Sequence, residues 1–150
     1  MSGKNLKRVT QVAIVVRDIE KTTAVWSELL GVEKPKISET EGPESTYMKF
    51  RGKPSEGKAK LAFINMENLV LEFIQPVGGP STWQGFLEKR GEGIHHITFN
   101  VENLEETLRK LREIGVKPEQ IGDFEGGCYV YTDAKSKLGA IIELLHTQEY

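Results

Sequence analysis

The chain of 150 residues holds one cysteine, Cys128, and that scarcity closes off two kinds of architecture. A lone thiol cannot form an intramolecular disulfide, and no cysteine-rich zinc spacing is available. Cys128 stands in Gly126-Gly127-Cys128-Tyr129-Val130-Tyr131, where it reads as a small strand residue with no base set beside it by the local sequence. No apolar run exceeds about five residues, far short of a membrane span, so no membrane partner is expected. The opening Met1-Ser-Gly-Lys-Asn-Leu-Lys-Arg is positively charged but has no apolar core after it, which predicts no signal peptide. A cytoplasmic protein is the expectation. Charge of one sign is also lacking: 20 Lys and Arg stand against 22 Asp and Glu, a net charge of −2, with the signs interspersed. No overall attraction to nucleic acid follows, and Lys58 and Lys60 read as the solvent face of a strand rather than a phosphate site. What remains is 28% charged and 38% hydrophobic, the composition of a soluble globule, at a length that fits one domain over 1–150.

What is present is an internal repeat. Residues 9–16 are β-branched and read as a buried strand. Asp18 is a good N-cap, Ala24, Val25, Trp26 and Leu29 give an apolar helical stripe over 20–30, and Gly31 stops it. The pattern returns at 94–101 as a strand, with Asn103 as cap, Leu104, Leu108, Leu111 and Ile114 as stripe, and Gly115 as stop. Gln11-Val-Ala-Ile-Val-Val-Arg-Asp lies over His96-Ile-Thr-Phe-Asn-Val-Glu-Asn without a gap. Each half continues in strands, predicted at 46–51, 60–66 and 68–75, then at 117–121, 127–132 and 140–146. Glu67-Asn68 makes the tight turn of one hairpin, and 133–139 is a loop. The fold class is therefore α+β, with a first βαβββ module over about 8–76 and a second over about 93–147. The linker, about 77–92, carries a short helix at 82–89 that turns Trp83, Phe86 and Leu87 inward. The stretch 33–58 is longer than its counterpart and rich in Glu, Lys, Gly and Pro; such a loop in a small domain is functional or mobile.

Strand alternation brings four polar side chains to one face. Gln11 shares a face with Ala13 and Val15, and His96 with Thr98 and Asn100, while Glu72 and Glu143 point away from neighbours that belong in a core. Gln11 matches His96 in the repeat, and Glu72 matches Glu143. Singly, each carboxylate reads as surface-facing or salt-bridged, and a lone histidine as structural. Jointly, two carboxylates in apolar strands need a partner, because an unpaired buried charge costs several kcal/mol, and a shared divalent cation serves both.

With Glu72-Phe-Ile-Gln-Pro, Phe86-Leu-Glu-Lys-Arg-Gly-Glu-Gly-Ile-His-His-Ile and Gly139-Ala-Ile-Ile-Glu-Leu-Leu in view, the chain resembles the vicinal-oxygen-chelate superfamily from Val9 to about His146. The wording of these stretches is similar to methylmalonyl-CoA epimerases. The resemblance implies a glyoxalase-like fold, a curved mixed sheet with helices on its outer face. It places the four metal ligands on Gln11, Glu72, His96 and Glu143. Gln11 departs from the histidine common there, although some glyoxalase I enzymes carry glutamine. His95, of opposite parity, is expected to be structural or a neighbour of the site. Three oxygen donors and one imidazole suit Co, Mn, Ni, Zn or Mg with open positions for a chelating substrate. The implied function is an epimerase or isomerase in which Glu143 removes a proton α to a carbonyl and the metal stabilises the enolate. Register with the epimerases makes Glu56 the second base. The substrate implied is an acyl-CoA thioester. The alternatives are a lactoylglutathione lyase acting on a glutathione hemithioacetal and a non-catalytic small-molecule binder. A homodimer is implied as well.

Overall fold

The β-branched run that opens the repeat forms β1, Gln11–Val15, in the computed structural model, which describes residues 5–147. Residues 1–4, which begin the segment read for a signal peptide, and 148–150 lie outside the described residues. Asp18 caps α1, Ile19–Leu30, by accepting from the Lys21 amide at 3.1 Å, and Gly31 ends it in the left-handed conformation. The inward stripe of α1 is not the expected one. Ile19, Thr23 and Ser27 are buried with Trp26 and Leu30 beside them, whereas Ala24, Val25 and Leu29 face solvent. Thr23 and Ser27 can turn inward because each hydroxyl donates to the carbonyl four residues earlier, Ile19 and Thr23 respectively, which removes the cost of burying it.

The long stretch that follows is built of small pieces: β2 Ser38–Glu39, α2 Pro43–Thr46, β3 Lys49–Phe50 and β4 Lys53–Pro54. The strand expected at 46–51 is thus cut to two residues, because Tyr47 and Arg51 both take positive φ and turn the chain on either side of it. β5, Ala59–Asn65, and β6, Val70–Pro76, pair through the expected turn, where the Met66 amide donates to the Leu69 carbonyl across Glu67-Asn68. After α3, Thr82–Arg90, the second module gives β7 Gly93–Asn100, α4 Leu104–Glu113, β8 Pro118–Phe124, β9 Gly127–Thr132, the turn of helix α5 Lys135–Leu138, and β10 Ile141–Thr147. Ile114 closes the stripe of α4 half exposed rather than packed.

All ten strands join one sheet in the order β2-β5-β6-β1-β7-β10-β9-β8-β3-β4. β1 and β7, the leading strands of the two modules, pair antiparallel at the centre, and each pairs in parallel with the last strand of its own module. The helical face carries two cores. Val16, Ala62, Ile64 and Phe73 lie under α1 and pack with its Ile19; Val101, Val116, Val130, Ile142 and Leu144 lie under α4. The opposite, concave face has a third core of Ala13, Val15, Met48, Ile74, Trp83 and Tyr131, against which α3 packs. β2 pairs with β5 at one side of the sheet and β3 pairs with β8 at the other, so residues 40–48 cross from one side to the other as a strap.

Candidate active site

Two cross-strand rows on the concave face carry the polar residues. In the first, Glu72 and His96 flank Ala13 across neighbouring strands. In the second, Gln11 and Glu143 flank Thr98, and Tyr131 follows Glu143. Ala13 between Glu72 and His96 presents only a methyl group, so the two long side chains meet above it. His96 Nε2 lies 3.5 Å from Glu72 Oε1 and 3.5 Å from Glu143 Oε1, with all three side chains buried. Thr98 Oγ1 donates to Glu143 Oε1 at 2.8 Å and stands 3.4 Å from Gln11 Oε1. The structure therefore brings Glu72, His96 and Glu143 together and sets Gln11 at the edge of the group.

His95 is turned by a β-bulge. Between β1 and β7 the register passes from Ala13↔His96 to Ile14↔Ile94, so His95 is the extra residue on β7. A bulge suspends alternation locally. The His95 ring therefore reaches the concave side, with its centroid 5.3 Å from Phe86 and 5.3 Å from Tyr131. Its Nδ1 lies 2.8 Å from Nδ1 of His96. One of the two nitrogens must donate. If His96 Nε2 is to offer a lone pair toward the carboxylates, its Nδ1 carries the proton and His95 accepts it.

The ionisable groups in this cluster shift one another. Burial, followed by the nearby Glu143 carboxylate, pushes the Glu72 carboxyl up to about 8 against a partial offset from His96. Burial opposes charge on His96, but Glu143 and then Glu72 hold its imidazole above the ordinary value. Burial, and then His96, hold His95 well below the ordinary value, in keeping with its role as neutral acceptor. Burial and Glu143 raise the Tyr131 phenol, which accepts a hydrogen bond from Trp83 Nε1 at 3.1 Å.

The cluster floors a cleft of about 400 Å³ lined by Trp83, Tyr129, Tyr131, Phe63 and Leu145, with Thr46, Met48 and Gly57 added by residues of the 33–58 stretch. Glu56 is not brought to it: its side chain is exposed between buried Ser55 and Gly57, and it does not line the cleft. Cys128 is partly buried on β9, and burial and Asp123 push its thiol up, away from the reactive thiolate. Thr98, Tyr131 and Trp83 escaped the sequence reading as site residues, although Thr98 shares the parity of His96. His95 could not be found by parity, because a bulge leaves no mark in the alternation.

The donor set can be tested against a cation. Glu72 Oε1 and His96 Nε2 are buried with no hydrogen-bond partner, and such orphaned atoms call for a ligand. Ligands roughly 2.1 Å from an octahedral ion lie roughly 3 Å apart, so the 3.5 Å spacings are within about half an ångström of coordination. No group of three or more Asp, Glu, His or Cys among the described residues is closed tightly enough to hold an ion as it stands. In kind, two carboxylates and an imidazole suit a divalent ion, and their spacing is wider than coordination by about half an ångström.

A family model described as the glyoxalase/bleomycin resistance protein/dioxygenase superfamily matches residues 10–132. The chain belongs to this superfamily. The ethylmalonyl-CoA/methylmalonyl-CoA epimerase of Cereibacter sphaeroides is 30% identical over 142 residues, covering 91% of this chain and 96% of that protein. The human mitochondrial methylmalonyl-CoA epimerase is 32% identical over 110 residues, covering 73% of this chain but 54% of that protein. The chain thus spans about half the length of the bovine and human relatives, 55% and 54%. The crystal structure of methylmalonyl-CoA epimerase from Mycobacterium tuberculosis superposes with a TM-score of 0.65 at 20% identity, covering 99% of this chain and 93% of that one. The superfamily's glyoxalase-like fold is thereby shared across the whole sheet. No helix among the described residues is long and apolar enough to cross a membrane.

Proposed function

We propose that the chain is a divalent-metal-dependent isomerase or epimerase, of the methylmalonyl-CoA epimerase kind, that moves a proton α to a thioester carbonyl. The observation that carries this reading is the buried convergence of His96 Nε2 on Glu72 and Glu143, each 3.5 Å away, with Glu72 Oε1 and His96 Nε2 left without hydrogen-bond partners. Gln11, Glu72, His96 and Glu143 would hold the ion, with Co, Mn, Ni, Zn and Mg as candidates. Bound there, it supplies Lewis-acid stabilisation of negative charge on the substrate oxygens.

Glu143 takes the α-proton. Thr98 orients it by its hydrogen bond to Oε1, and His95 fixes the tautomer of His96. Trp83, Tyr131 and Met48 exclude water from the floor of the cleft. Glu56 enters the scheme only as a second base that would have to turn inward with its segment. Names of relatives support the substrate class: the C. sphaeroides protein is an acyl-CoA epimerase, and a neighbour at 18% identity with a TM-score of 0.63 is in complex with methylmalonyl-CoA. A lactoylglutathione lyase is the second reading, favoured by the glutamine at position 11. A homodimer completes the proposal, resting on the family resemblance.

Deuterium uptake at the α-carbon of a methylmalonyl thioester, followed with divalent metal present, tests it. Exchange is expected, with a loss of about 10²- to 10⁴-fold in Glu143→Gln. Turnover of methylglyoxal with glutathione and no thioester exchange would move the assignment to the lyase.

A further inference from the structure

Tyr129 lines the cleft with a hydroxyl whose hydrogen-bonding capacity is only half used within the chain. The reason lies behind it, in Gln120 on β8, a long polar side chain that is only 1% exposed. The Thr82 amide at the start of α3 donates to Gln120 Oε1 at 2.9 Å, which decides the two ends of the carboxamide. The Nε2 end must then donate, and it does so to the Tyr129 hydroxyl at 3.0 Å. The phenol oxygen therefore accepts, and its own proton has no acceptor among the described residues. Burial pushes this phenol up against a partial offset from Gln120, so the proton stays on the oxygen at neutral pH.

The sheet also sets where the hydroxyl stands. Tyr129 is opposite Gly122 on β8, whereas Gln120 is opposite Tyr131, and Tyr131 is opposite Glu143. To meet Gln120, the Tyr129 side chain leans over Gly122 from its own cross-strand row toward the row of Glu143. Glycine is what permits this. A Cβ on residue 122 would stand 2.6 Å from Cε1 and 2.7 Å from the hydroxyl oxygen of Tyr129. Tyr131 is held in a similar way by Trp83 Nε1, but it is 3% exposed and belongs to the concave core. Tyr129 is half-buried and opens to the cleft.

The side chains that line this cleft include no lysine, arginine or histidine. An anionic oxygen of a ligand meets neutral donors there, and a hydroxyl with a proton to give forms a charge-assisted hydrogen bond with it. We propose that Tyr129 recognises the free carboxylate of a β-carboxyacyl thioester, so that the cleft selects malonyl-type acyl groups over simple acyl groups. Gln120 and Gly122 are its positioning residues. This rests on the epimerase reading and deepens it, by naming the group that the substrate must carry besides the thioester.

Malonyl-CoA and acetyl-CoA differ by that carboxylate alone, so the ratio of their affinities for cobalt-loaded protein, measured by calorimetric titration, isolates the contact. The wild-type protein should prefer malonyl-CoA, and Tyr129→Phe should cut the preference by about ten-fold with acetyl-CoA affinity unchanged. Gly122→Ala, which displaces the hydroxyl, should cut it as far, and the double variant no further. An unchanged ratio in Tyr129→Phe overturns the proposal; if α-deuterium exchange then falls through kcat, the hydroxyl serves the enolate oxygen instead. A wild-type protein that binds both thioesters equally, or neither, overturns it as well. Carbon-13 at Cζ of the tyrosines gives a reading that needs no variant to fold. The Tyr129 signal should move with malonyl-CoA and stay with acetyl-CoA, and equal shifts sink the idea. Should methylmalonyl-CoA show no α-exchange, the epimerase reading fails on its own, and the ratio of malonyl to acetyl binding still judges Tyr129.

Discussion

At the scale of single residues, the site is a set of buried ionisable groups that shift one another's protonation. An unpaired carboxyl in an apolar strand keeps its proton to well above its usual range, and Glu72 does so, reaching about 8 from an ordinary 4.5. Its folded value exceeds its unfolded one, so its contribution to stability is full below about 4.5 and is lost as pH rises through about 8. His96, also raised, adds a loss in the same direction as pH rises through its folded value. Metal-free protein is therefore expected to lose a few kcal/mol, in order of magnitude, between about pH 5 and about pH 8. Denaturant midpoints across that range measure the loss. Glu72→Gln, which cannot ionise, should flatten the profile, and an equally steep profile in that variant would refute the assignment. Of the four proposed ligands, Glu72, His96 and Glu143 were legible from parity because regular strands carry them. His95 is a neighbour of the site, one of its two expected places, but parity gave it the wrong face, since one bulge turns it to the concave side.

At the scale of elements, the strap decides the shape of the cleft. It is fastened at both ends: Glu39 pairs with Lys60 on β5, and the Arg51 amide donates to the Glu119 carbonyl on β8. It then returns beneath the linker, where the Ser55 hydroxyl donates to the Pro80 carbonyl and the Lys58 amide to the Gly78 carbonyl at 3.0 Å. This crossing requires two backbones to touch. A Cβ on Gly79 would stand 2.5 Å from the Gly57 nitrogen, and Gly79 has φ +75 besides. Gly79→Ala is thus expected to cost about 1–3 kcal/mol through strain, and to loosen the return of the strap. Proteolysis within 40–58 should accelerate relative to cleavage elsewhere. An unchanged melting midpoint with unchanged proteolysis would show that the strap is not held here. The sequence marked 33–58 as long and polar, but its path could not be read, because two-residue strands such as β3 and β4 carry no periodicity to detect.

At the scale of the whole molecule, the two modules complete one another. The central pairing is β1 with β7, one strand from each, and the strap adds β3 of the first half to β8 of the second. The concave core mixes Ala13, Val15, Met48 and Ile74 with Trp83 and Tyr131, so neither half can bury it alone. A fragment of about 70 residues is already marginal in the surface it can bury. Fragments 8–76 and 77–147 made separately should show no cooperative thermal transition by circular dichroism. A sharp transition in either fragment would mean that the modules are independent.

What the sequence determined by itself is everything periodic. The repeat, the caps at Asp18 and Asn103, the stops at Gly31 and Gly115, the Glu67-Asn68 turn and the shared face of Gln11, Glu72, His96 and Glu143 all follow from local rules of spacing and capping. The tertiary structure alone decided what depends on two distant segments meeting. It chose Thr23 and Ser27 over Val25 and Leu29 as the inward side of α1, since the hydroxyls are satisfied within the helix. It left Glu56 outside the cleft, turned His95 inward, and laid the strap across the concave face. Each of these placements needs contact between segments far apart in the chain, which no local rule of spacing or capping encodes.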